Sequence, residues 1–362
     1  MSLEGELQVR LHLGAGQIQR VEIGSTRPDV AQRLLQGRSR AEVLAAIPLM
    51  FSICGRSQST AATLAFAAAA GIQTSADARA TATQAVAAEM LRELTWLSLL
   101  QWPQRMAETP SADAVAAARA SLSPIATTAA QRETIALAAF GMPASSWLGI
   151  GTLSGLEQWA AAGHTAAARF IQRSLIAQAE SGTAHSGLLP AQPTQADWAW
   201  LAQAMADEPD FAHQPRWHGA AAETGALARW QSQALIAALL ARSPSRVAAR
   251  LVARLHELAL LLADTYPVAL GSCMPQSGTG MAWVENARGL LAHRVQVDPS
   301  SDKVLDYRIV APTEWNFHAS GPLATALTGA PVADADQAQS LANAVIHSLD
   351  PCVACRVEIV HA

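Results

Sequence analysis

Hydrophobic and polar residues alternate along the first segment of the chain, over residues 7–13. The inward face carries Leu7, Val9, Leu11 and Leu13. A period of two is typical of a strand, and the Gly-Ala-Gly sequence at 14–16 is typical of a turn. A second strand is expected through about residues 21–23, so the segment predicts a β-hairpin.

Two short helices are predicted to follow this hairpin. The apolar face of the first consists of Val30, Leu34 and Leu35, and Gly37 ends it. The second is expected from about Arg40 to Ile47, where Pro48 stops it. A loop around Cys54 then leads into a helix rich in Ala and Thr.

Helical periodicity dominates residues 76–268. One apolar face consists of Met90, Leu91, Leu94, Leu97 and Leu100. Trp102-Pro103 is expected to close that helix, and Ser243-Pro244 to begin a later one as N-cap and first helical residue. Arginines recur every fourth residue of this later helix at 246, 250 and 254. A solvated face is favoured for them over a partner-docking surface.

Strand patterns return after Pro267. Residues 295–297 and 304–310 flank a turn-forming cluster at 298–302, which predicts a second hairpin. A last helix is expected over about Gln337–Leu349. The fold class is therefore mainly α with small β-hairpins. We predict a single domain over 1–362, with an N-terminal part (1–60), a helical body (76–268) and a C-terminal part (269–362).

Charge and composition exclude several function classes. The 362 residues carry a net charge of −4, without a basic stripe, which excludes nucleic acid as a partner. The uncharged stretches 57–76 and 134–156 are too polar or too rich in Gly and Pro to span a membrane. Because the N-terminus lacks a secretory signal pattern, a cytoplasmic location is expected. In that reducing compartment, four cysteines favour metal ligands over disulfides.

The strongest chemical signal is the Asp-Pro-Cys-x-x-Cys sequence at 350–355. Two thiolates at this spacing can bind one soft metal centre. Alternative interpretations are two small buried thiols or a structural zinc site, although zinc requires four closed ligands. Cys54 lies in a Cys-Gly-x-Ser sequence, which lacks the second thiol of such a pair. Cys273 is expected to be an ordinary buried thiol.

Both cysteine boxes and four further segments resemble, in order, the large subunit of nickel–iron hydrogenases. The further segments are Leu3–Leu7, Glu223–Arg229, Glu285–His293 and Pro312–Asn316. They are similar to that family's Glu-Gly, Glu-Val-Gly-Pro-Leu-Ala-Arg, Glu-Ala-Pro-Arg-Gly-x-Leu-x-His and Pro-Thr-Thr-Trp-Asn motifs. The middle of the chain, about 75–220, matches only loosely. The resemblance implies a hydrogenase large-subunit-like helical fold.

The departures from the family pattern concern the nickel side of the metal site. Ser57 stands where the family has a bridging thiolate, and a hydroxyl is a poor ligand for a soft metal. Three further residues differ from the family pattern. Ala61 stands in place of a His, Ser52 in place of an Arg, and Glu358 in place of the His that follows the final cysteine pair. Cys54 keeps the position of a terminal nickel thiolate. This pattern resembles the hydrogenase expression/formation proteins of the HupK and HoxV kind, scaffolds on which the Fe(CN)2CO half of the cofactor is assembled.

The resemblance also implies residues that face the cyanide ligands of the iron. Arg288 supplies a charged donor and Thr313, in the Pro312 loop, a hydroxyl donor. The alternative for Arg288 is a structural ion pair with an Asp or Glu. Glu4 matches a glutamate near the metal thiolates, or is a carboxylate at a strand edge. His293 is equally interpretable as a core histidine.

Glu223 and Arg229 are expected to pair or cap structural elements rather than bind a ligand.

The sequence therefore predicts a non-catalytic scaffold whose metal ligands are Cys352, Cys355 and Cys54. Its cargo would be the Fe(CN)2CO unit, and nickel is not expected. Implied partners are a HypC-type maturation chaperone, a HypD-type iron–sulfur maturation protein and the apo large subunit of a hydrogenase. Two alternatives are a decoy of the large subunit that binds no metal and a divergent active hydrogenase subunit.

Overall fold

The computed structural model describes residues 5–26, 30–122, 127–176 and 185–361. The N-terminal elements are β1 (Glu6–Gly14), β2 (Gln17–Ser25), α1 (Val30–Leu35), α2 (Arg40–Met50) and α3 (Gly55–Ala69). The next helices are α4 (Ala76–Trp96), α5 (Trp102–Arg105), α6 (Ala112–Ala120), α7 (Ala129–Phe140), α8 (Ala144–Leu148), α9 (Leu153–Ala162) and α10 (Ala166–Ile176).

The second half of the chain adds most of the strands. Its first elements are β3 (Gly187–Leu188), α11 (Gln195–Asp207), β4 (Ala222–Glu223), α12 (Ala226–Trp230), α13 (Ala234–Arg242) and α14 (Val247–Leu262). Its last elements are β5 (Leu270–Gln276), β6 (Thr279–Asn286), β7 (Gly289–Val297), β8 (Val304–Val310), α15 (Pro312–Asn316), α16 (Pro322–Leu327), α17 (Ala335–Leu349) and β9 (Ala354–His361). The predicted class, mainly α with small hairpins, is confirmed.

Contacts between residues divide the chain into two compact units. The first comprises Met1–Val86, Gly182–Arg229 and Val268–Ala362, and the second Ala87–Ser181 and Trp230–Pro267. The segment 76–268 is helical in its described part except for the two-residue strands β3 and β4, and it contributes to both units. No helix among the described residues is long and apolar enough to cross a bilayer.

The predicted N-terminal hairpin belongs to a three-stranded sheet in the first unit. Strand β1 pairs antiparallel with β2, and its alternate side chains are buried as expected. On its other edge β1 pairs in parallel with β9, in a register that aligns Leu7 with Cys355. No strand was expected after Leu349, so β9 is a correction. Strand pairing therefore places the C-terminal cysteine box next to the N-terminal strand.

The second predicted hairpin, β7–β8, is part of a four-stranded antiparallel sheet with the order β5-β6-β7-β8. Helix α3 packs directly on β6. A Cβ placed on Gly280 would lie 1.9 Å from the Ala65 carbonyl oxygen, so glycine permits this close approach.

We expect Gly280→Ala to lower the free energy of unfolding by roughly 3 kcal/mol, because α3 must move away from β6 to admit the methyl group. Urea denaturation measures this loss. Gly24→Ala is the matched control, since a Cβ there would meet nothing within 4 Å. Equal stability of the two variants would contradict the close packing of α3 on β6.

Two expected helix ends and one expected buried position are wrong. Pro48 lies inside α2 rather than ending it, because a proline in the last turn breaks little of the hydrogen-bonding pattern. Trp102-Pro103 does not close the helix of residues 90–97, because a π-helical turn at Leu97–Gln101 leads on into α5. Leu34 was assigned to a buried face of α1, but it is half exposed.

Helix α14 departs furthest from its predicted form. It begins at Val247, three residues later than the Ser243-Pro244 signal indicated. Arg250 and Arg254 are 3% and 4% exposed, so the predicted solvated arginine face is wrong. Nearly every side chain of α14 is buried, and a helix that is buried on all sides must bury its polar stripe too.

Candidate functional site

The loop that carries Cys352 begins at the end of α17. After Leu349 the backbone of Asp350 adopts a left-handed conformation with φ 55°, and its N–H donates to the Ile346 carbonyl at 2.8 Å. Pro351 cannot continue the helix. The chain therefore turns sharply and presents a half-buried Cys352 before β9 begins.

Thr313 contacts the sulfur of this loop. Helix α15 begins with Pro312 at its first position, which places the buried Thr313 in the first turn. The Thr313 Oγ1 lies 3.2 Å from the Cys352 Sγ and accepts a hydrogen bond from the Cys352 N–H at 3.4 Å. Trp315, two residues further along α15, is fully buried and anchors the helix. The Thr313 hydroxyl and the Cys352 thiol are therefore in direct contact.

Arg288 reaches the same loop through Asp350. Its Nε lies 3.3 Å from the Asp350 Oδ2, and the two side chains are 12% and 8% exposed. The structural ion pair that the sequence left open for Arg288 is therefore present. This ion pair holds the guanidinium at the start of the loop that carries Cys352.

The turn between β6 and β7 fixes the backbone of Arg288. The Asn286 Oδ1 accepts hydrogen bonds from the N–H groups of Arg288 and Gly289, at 2.9 and 3.2 Å. Gly289 has φ 137°, and a Cβ there would lie 2.5 Å from the Thr224 side chain. The Thr224 hydroxyl in turn accepts from the Leu290 N–H at 2.8 Å. Only glycine fits this turn.

Cys355 lies in β9, with its sulfur half-buried. Burial, together with the negative charge of Glu6, raises the pKa of the Cys355 thiol to about 11. The metal-free protein therefore keeps this group as a thiol at neutral pH. A metal that bound here would have to displace the proton.

Cys54 is the N-cap residue of α3. Its half-buried sulfur accepts a hydrogen bond from the Gln58 Nε2 at 3.6 Å, one helical turn further along. Ser57, at the position of the missing thiolate, is fully buried.

The structure brings some of the predicted residues together. Thr313 contacts Cys352, and Arg288 forms an ion pair with Asp350, two residues before that cysteine. Within the described part of the chain, Cys54 contacts Gln58. Over the same residues, no three His, Cys, Asp or Glu side chains form a group that could hold a metal ion.

His293 is a fully buried core residue. Its Nδ1 lies 2.8 Å from the Tyr307 hydroxyl, and its Nε2 lies 2.7 Å from the Gln58 Oε1. Burial lowers the pKa of His293 to about 3, so the ring is neutral at physiological pH.

This buried histidine predicts a loss of stability in acid. Because the pKa of His293 is about 3 when folded and about 6.5 when unfolded, only the unfolded chain takes up its proton between those values. Stability is therefore complete above pH 6.5 and falls as the pH drops below it. We expect roughly 2–3 kcal/mol of the unfolding free energy to be lost between pH 6.5 and 4.5.

Denaturant titrations at several pH values measure this slope. His293→Gln is expected to be less stable at pH 7 and to lose stability less steeply over the same range. An identical slope in both proteins would contradict the assignment.

The remaining predicted residues have structural roles. Arg229 forms an ion pair with Glu285 and donates from Nη2 to the Asn286 carbonyl at 3.0 Å, as expected of a pairing residue. Glu223 is buried in β4. Burial raises the pKa of the half-buried Cys273 thiol. The Glu4 prediction lies outside the described residues.

Sequence reasoning missed the contributions of three side chains. Asp350 belongs to the Asp-Pro-Cys-x-x-Cys sequence, but its ion pair with Arg288 was not predicted. The available signal was an acidic residue directly before Pro351. Asn286 shapes the Arg288 turn, and its position inside the matched segment was the only hint. Gln58 follows Cys54 by four residues, a spacing that brings side chains together on a helix.

The fold belongs to the class of hydrogenase large subunits. Residues 218–358 match the protein family described as nickel-dependent hydrogenase. A nickel–iron–selenium hydrogenase variant from Desulfovibrio vulgaris Hildenborough is similar in structure, with a TM-score of 0.61 and 16% identity over 97% of this chain and 99% of that chain. At this identity the likeness shows the fold alone.

Relatives that match nearly the whole chain identify the family within this class. The chain is 34% identical to the hydrogenase expression/formation protein HupK of Azotobacter vinelandii over 99% of this chain and 100% of that protein. It is 31% identical to HupK of Rhizobium leguminosarum, over 94% and 92% of the two chains. It is 30% identical to HoxV of Cupriavidus necator, over 93% and 92%. The chain belongs to this family of hydrogenase expression/formation proteins.

Proposed function

We propose that this protein is a non-catalytic scaffold in the maturation of a nickel–iron hydrogenase, working in the cytoplasm. It holds the Fe(CN)2CO unit as cargo and passes it to the apo large subunit of an uptake-type hydrogenase. A HypC-type chaperone and a HypD-type iron–sulfur maturation protein would supply that unit. The relatives' names, hydrogenase expression/formation protein, support the maturation role.

The observation that carries the iron proposal is the contact of Thr313 with Cys352 beside the Arg288–Asp350 pair. A thiolate at Cys352 supplies an iron ligand, and the neighbouring donors suit the cyanide nitrogens, which are anionic acceptors. Two kinds of donor, a hydroxyl and a guanidinium, thus lie next to the loop that carries Cys352. This arrangement fits an iron unit that already carries its own anionic ligands.

The other proposed ligands are Cys355 and Cys54. Cys355 must release its proton on binding, since burial and Glu6 raise the pKa of its thiol to about 11. Iron loading should therefore become more favourable as the pH rises. Ser57 is fully buried and offers no soft ligand, which argues against a nickel site on the Cys54 side.

A second candidate function, a metal-free decoy of the large subunit, is favoured by two observations. Arg288 already has an ionic partner in Asp350, and the described residues contain no ready group of three metal ligands. In that function the large-subunit-like surface alone would bind the chaperone or another hydrogenase subunit.

Elemental analysis of anaerobically purified protein distinguishes these functions. We expect iron without nickel, because the iron-side residues are kept and Ser57 replaces a thiolate. Stoichiometric nickel with hydrogen uptake would overturn the scaffold proposal. Protein that is free of both metals after co-expression with the maturation proteins would favour the decoy.

A further inference from the structure

A buried chain of hydrogen bonds reaches the sulfur of Cys54. The Gln58 Nε2 lies 3.6 Å from the Cys54 Sγ, and the Gln58 Oε1 lies 2.7 Å from the His293 Nε2. The His293 Nδ1 lies 2.8 Å from the Tyr307 hydroxyl. These side chains come from α3, β7 and β8, and Gln58, His293 and Tyr307 are at most 1% exposed. Water therefore does not compete for the inner bonds.

The protons in this chain have one consistent arrangement. Among the described residues, His293 Nδ1 is the hydrogen-bond partner of the Tyr307 hydroxyl, and a buried O–H with one partner donates to it. A neutral His293 that accepts at Nδ1 carries its proton on Nε2. That N–H must donate to the Gln58 carbonyl oxygen, which turns the amide nitrogen toward Cys54.

The opposite arrangement leaves a buried donor unsatisfied. If Nδ1 carried the proton, Nε2 would accept from the Gln58 amide, and the amide oxygen would face Cys54. The Tyr307 O–H would then accept from Nδ1 and donate to no described group. An unsatisfied buried donor is costly, so the first arrangement is favoured.

We infer that Tyr307, His293 and Gln58 are positioning residues that make the Cys54 sulfur an acceptor in a directed hydrogen-bond chain. The tautomer of His293 decides which end of the Gln58 amide faces the sulfur. A donor at sulfur stabilises negative charge there, which is the form that binds a metal. This inference rests on the proposed function, in which Cys54 is a ligand of the iron unit.

The first test uses the unaltered, iron-free protein. Nitrogen NMR of protein labelled in the histidine rings distinguishes the two neutral tautomers, and His293→Gln assigns the signal among the 10 histidines. We expect the proton on Nε2. A proton on Nδ1 would overturn the inference.

The second test measures alkylation of Cys54 by iodoacetamide at neutral pH, with each cysteine quantified on its own peptide by mass spectrometry. Gln58→Met removes the donor and is expected to slow Cys54 about tenfold. Tyr307→Phe removes the hydroxyl that selects the His293 tautomer, so the two orientations of the Gln58 amide become comparable in energy. Alkylation of Cys54 should then slow about twofold.

The two tyrosines of the chain provide a matched control. Tyr266→Phe removes a hydroxyl that lies 3.2 Å from Glu257, outside this chain of hydrogen bonds, and should leave Cys54 unchanged. Cys273 reports general loosening, which would speed alkylation at both cysteines. Unchanged or faster alkylation of Cys54 in Tyr307→Phe would overturn the inference.

Both tests are read without iron, so they are independent of the proposed function. If Cys54→Ala loads the Fe(CN)2CO unit normally while His293 keeps its proton on Nε2, the ligand role of Cys54 fails and the directed chain stands. If the protein loads iron but the tautomer is the other one, the proposed function stands and the inference fails.

Discussion

Cys352→Ala is expected to reduce the iron content of anaerobically purified protein to background and to abolish hydrogenase maturation. The substitution removes a proposed iron ligand and the sulfur that Thr313 contacts at 3.2 Å. Because Cys352 is half-buried in a loop, the fold should lose no more than about 1 kcal/mol of stability. Metal analysis, a maturation assay and thermal unfolding measure the three effects.

The same experiment on the other cysteines tests the ligand assignment. Cys355→Ala should also abolish loading, with a larger loss of stability, because Cys355 lies in β9 and its register partner is in β1. Cys273→Ala is the matched control and should load normally. If Cys273→Ala lost iron as completely as the terminal variants, the proposed ligand set would be wrong.

Arg288→Met is expected to have the second large effect, a loss of roughly 1.5–3 kcal/mol in affinity for the iron unit. Methionine keeps most of the length of the side chain but donates no hydrogen bond to cyanide. Arg288→Lys keeps the charge as a point donor, so it should load partly, with shifted cyanide stretching frequencies. Loading measured against concentration of the iron-bearing chaperone gives the affinities.

The ion pair with Asp350 complicates a single substitution, because Arg288→Met leaves a buried carboxylate without this partner. Asp350→Asn removes that charge, and asparagine tolerates the left-handed backbone at φ 55°. The double variant should recover stability but not loading. Normal loading with unshifted cyanide bands would mean that Arg288 is structural, and the decoy function would then be favoured.

Strict alternation and turn chemistry predicted the hairpin strands at the two ends of the chain. Residues 7–13 form a strand whose alternate side chains are buried, and residues 304–310 form a strand in which Val304, Tyr307 and Val310 are buried. Strand β9 was missed because its parallel partner lies 348 residues away in the sequence, and nothing in the neighbouring residues indicates that pairing. Strands β5 and β6 were missed for a related reason. Gly280 interrupts the alternation of apolar and polar residues in β6 at the point where α3 packs against the strand.

Periodicity alone could not tell which face of a helix meets solvent. The arginines of α14 recur as predicted, yet nearly all side chains of the helix are buried. The candidate site shows the same limit. Motif order indicated Arg288, Thr313 and Cys352 together, but not that Asp350 would link Arg288 to the loop. We have no physical account of the π-helical turn at Leu97–Gln101.

The infrared spectrum of protein purified without oxygen tests the central claim most directly, because carbon monoxide and cyanide absorb where protein does not. The scaffold proposal predicts one carbon monoxide band and two cyanide bands from the unaltered protein and from Cys273→Ala. It predicts no such bands from Cys352→Ala. A spectrum without these bands, from protein co-expressed with the maturation proteins, would contradict the claim that this protein carries the iron unit.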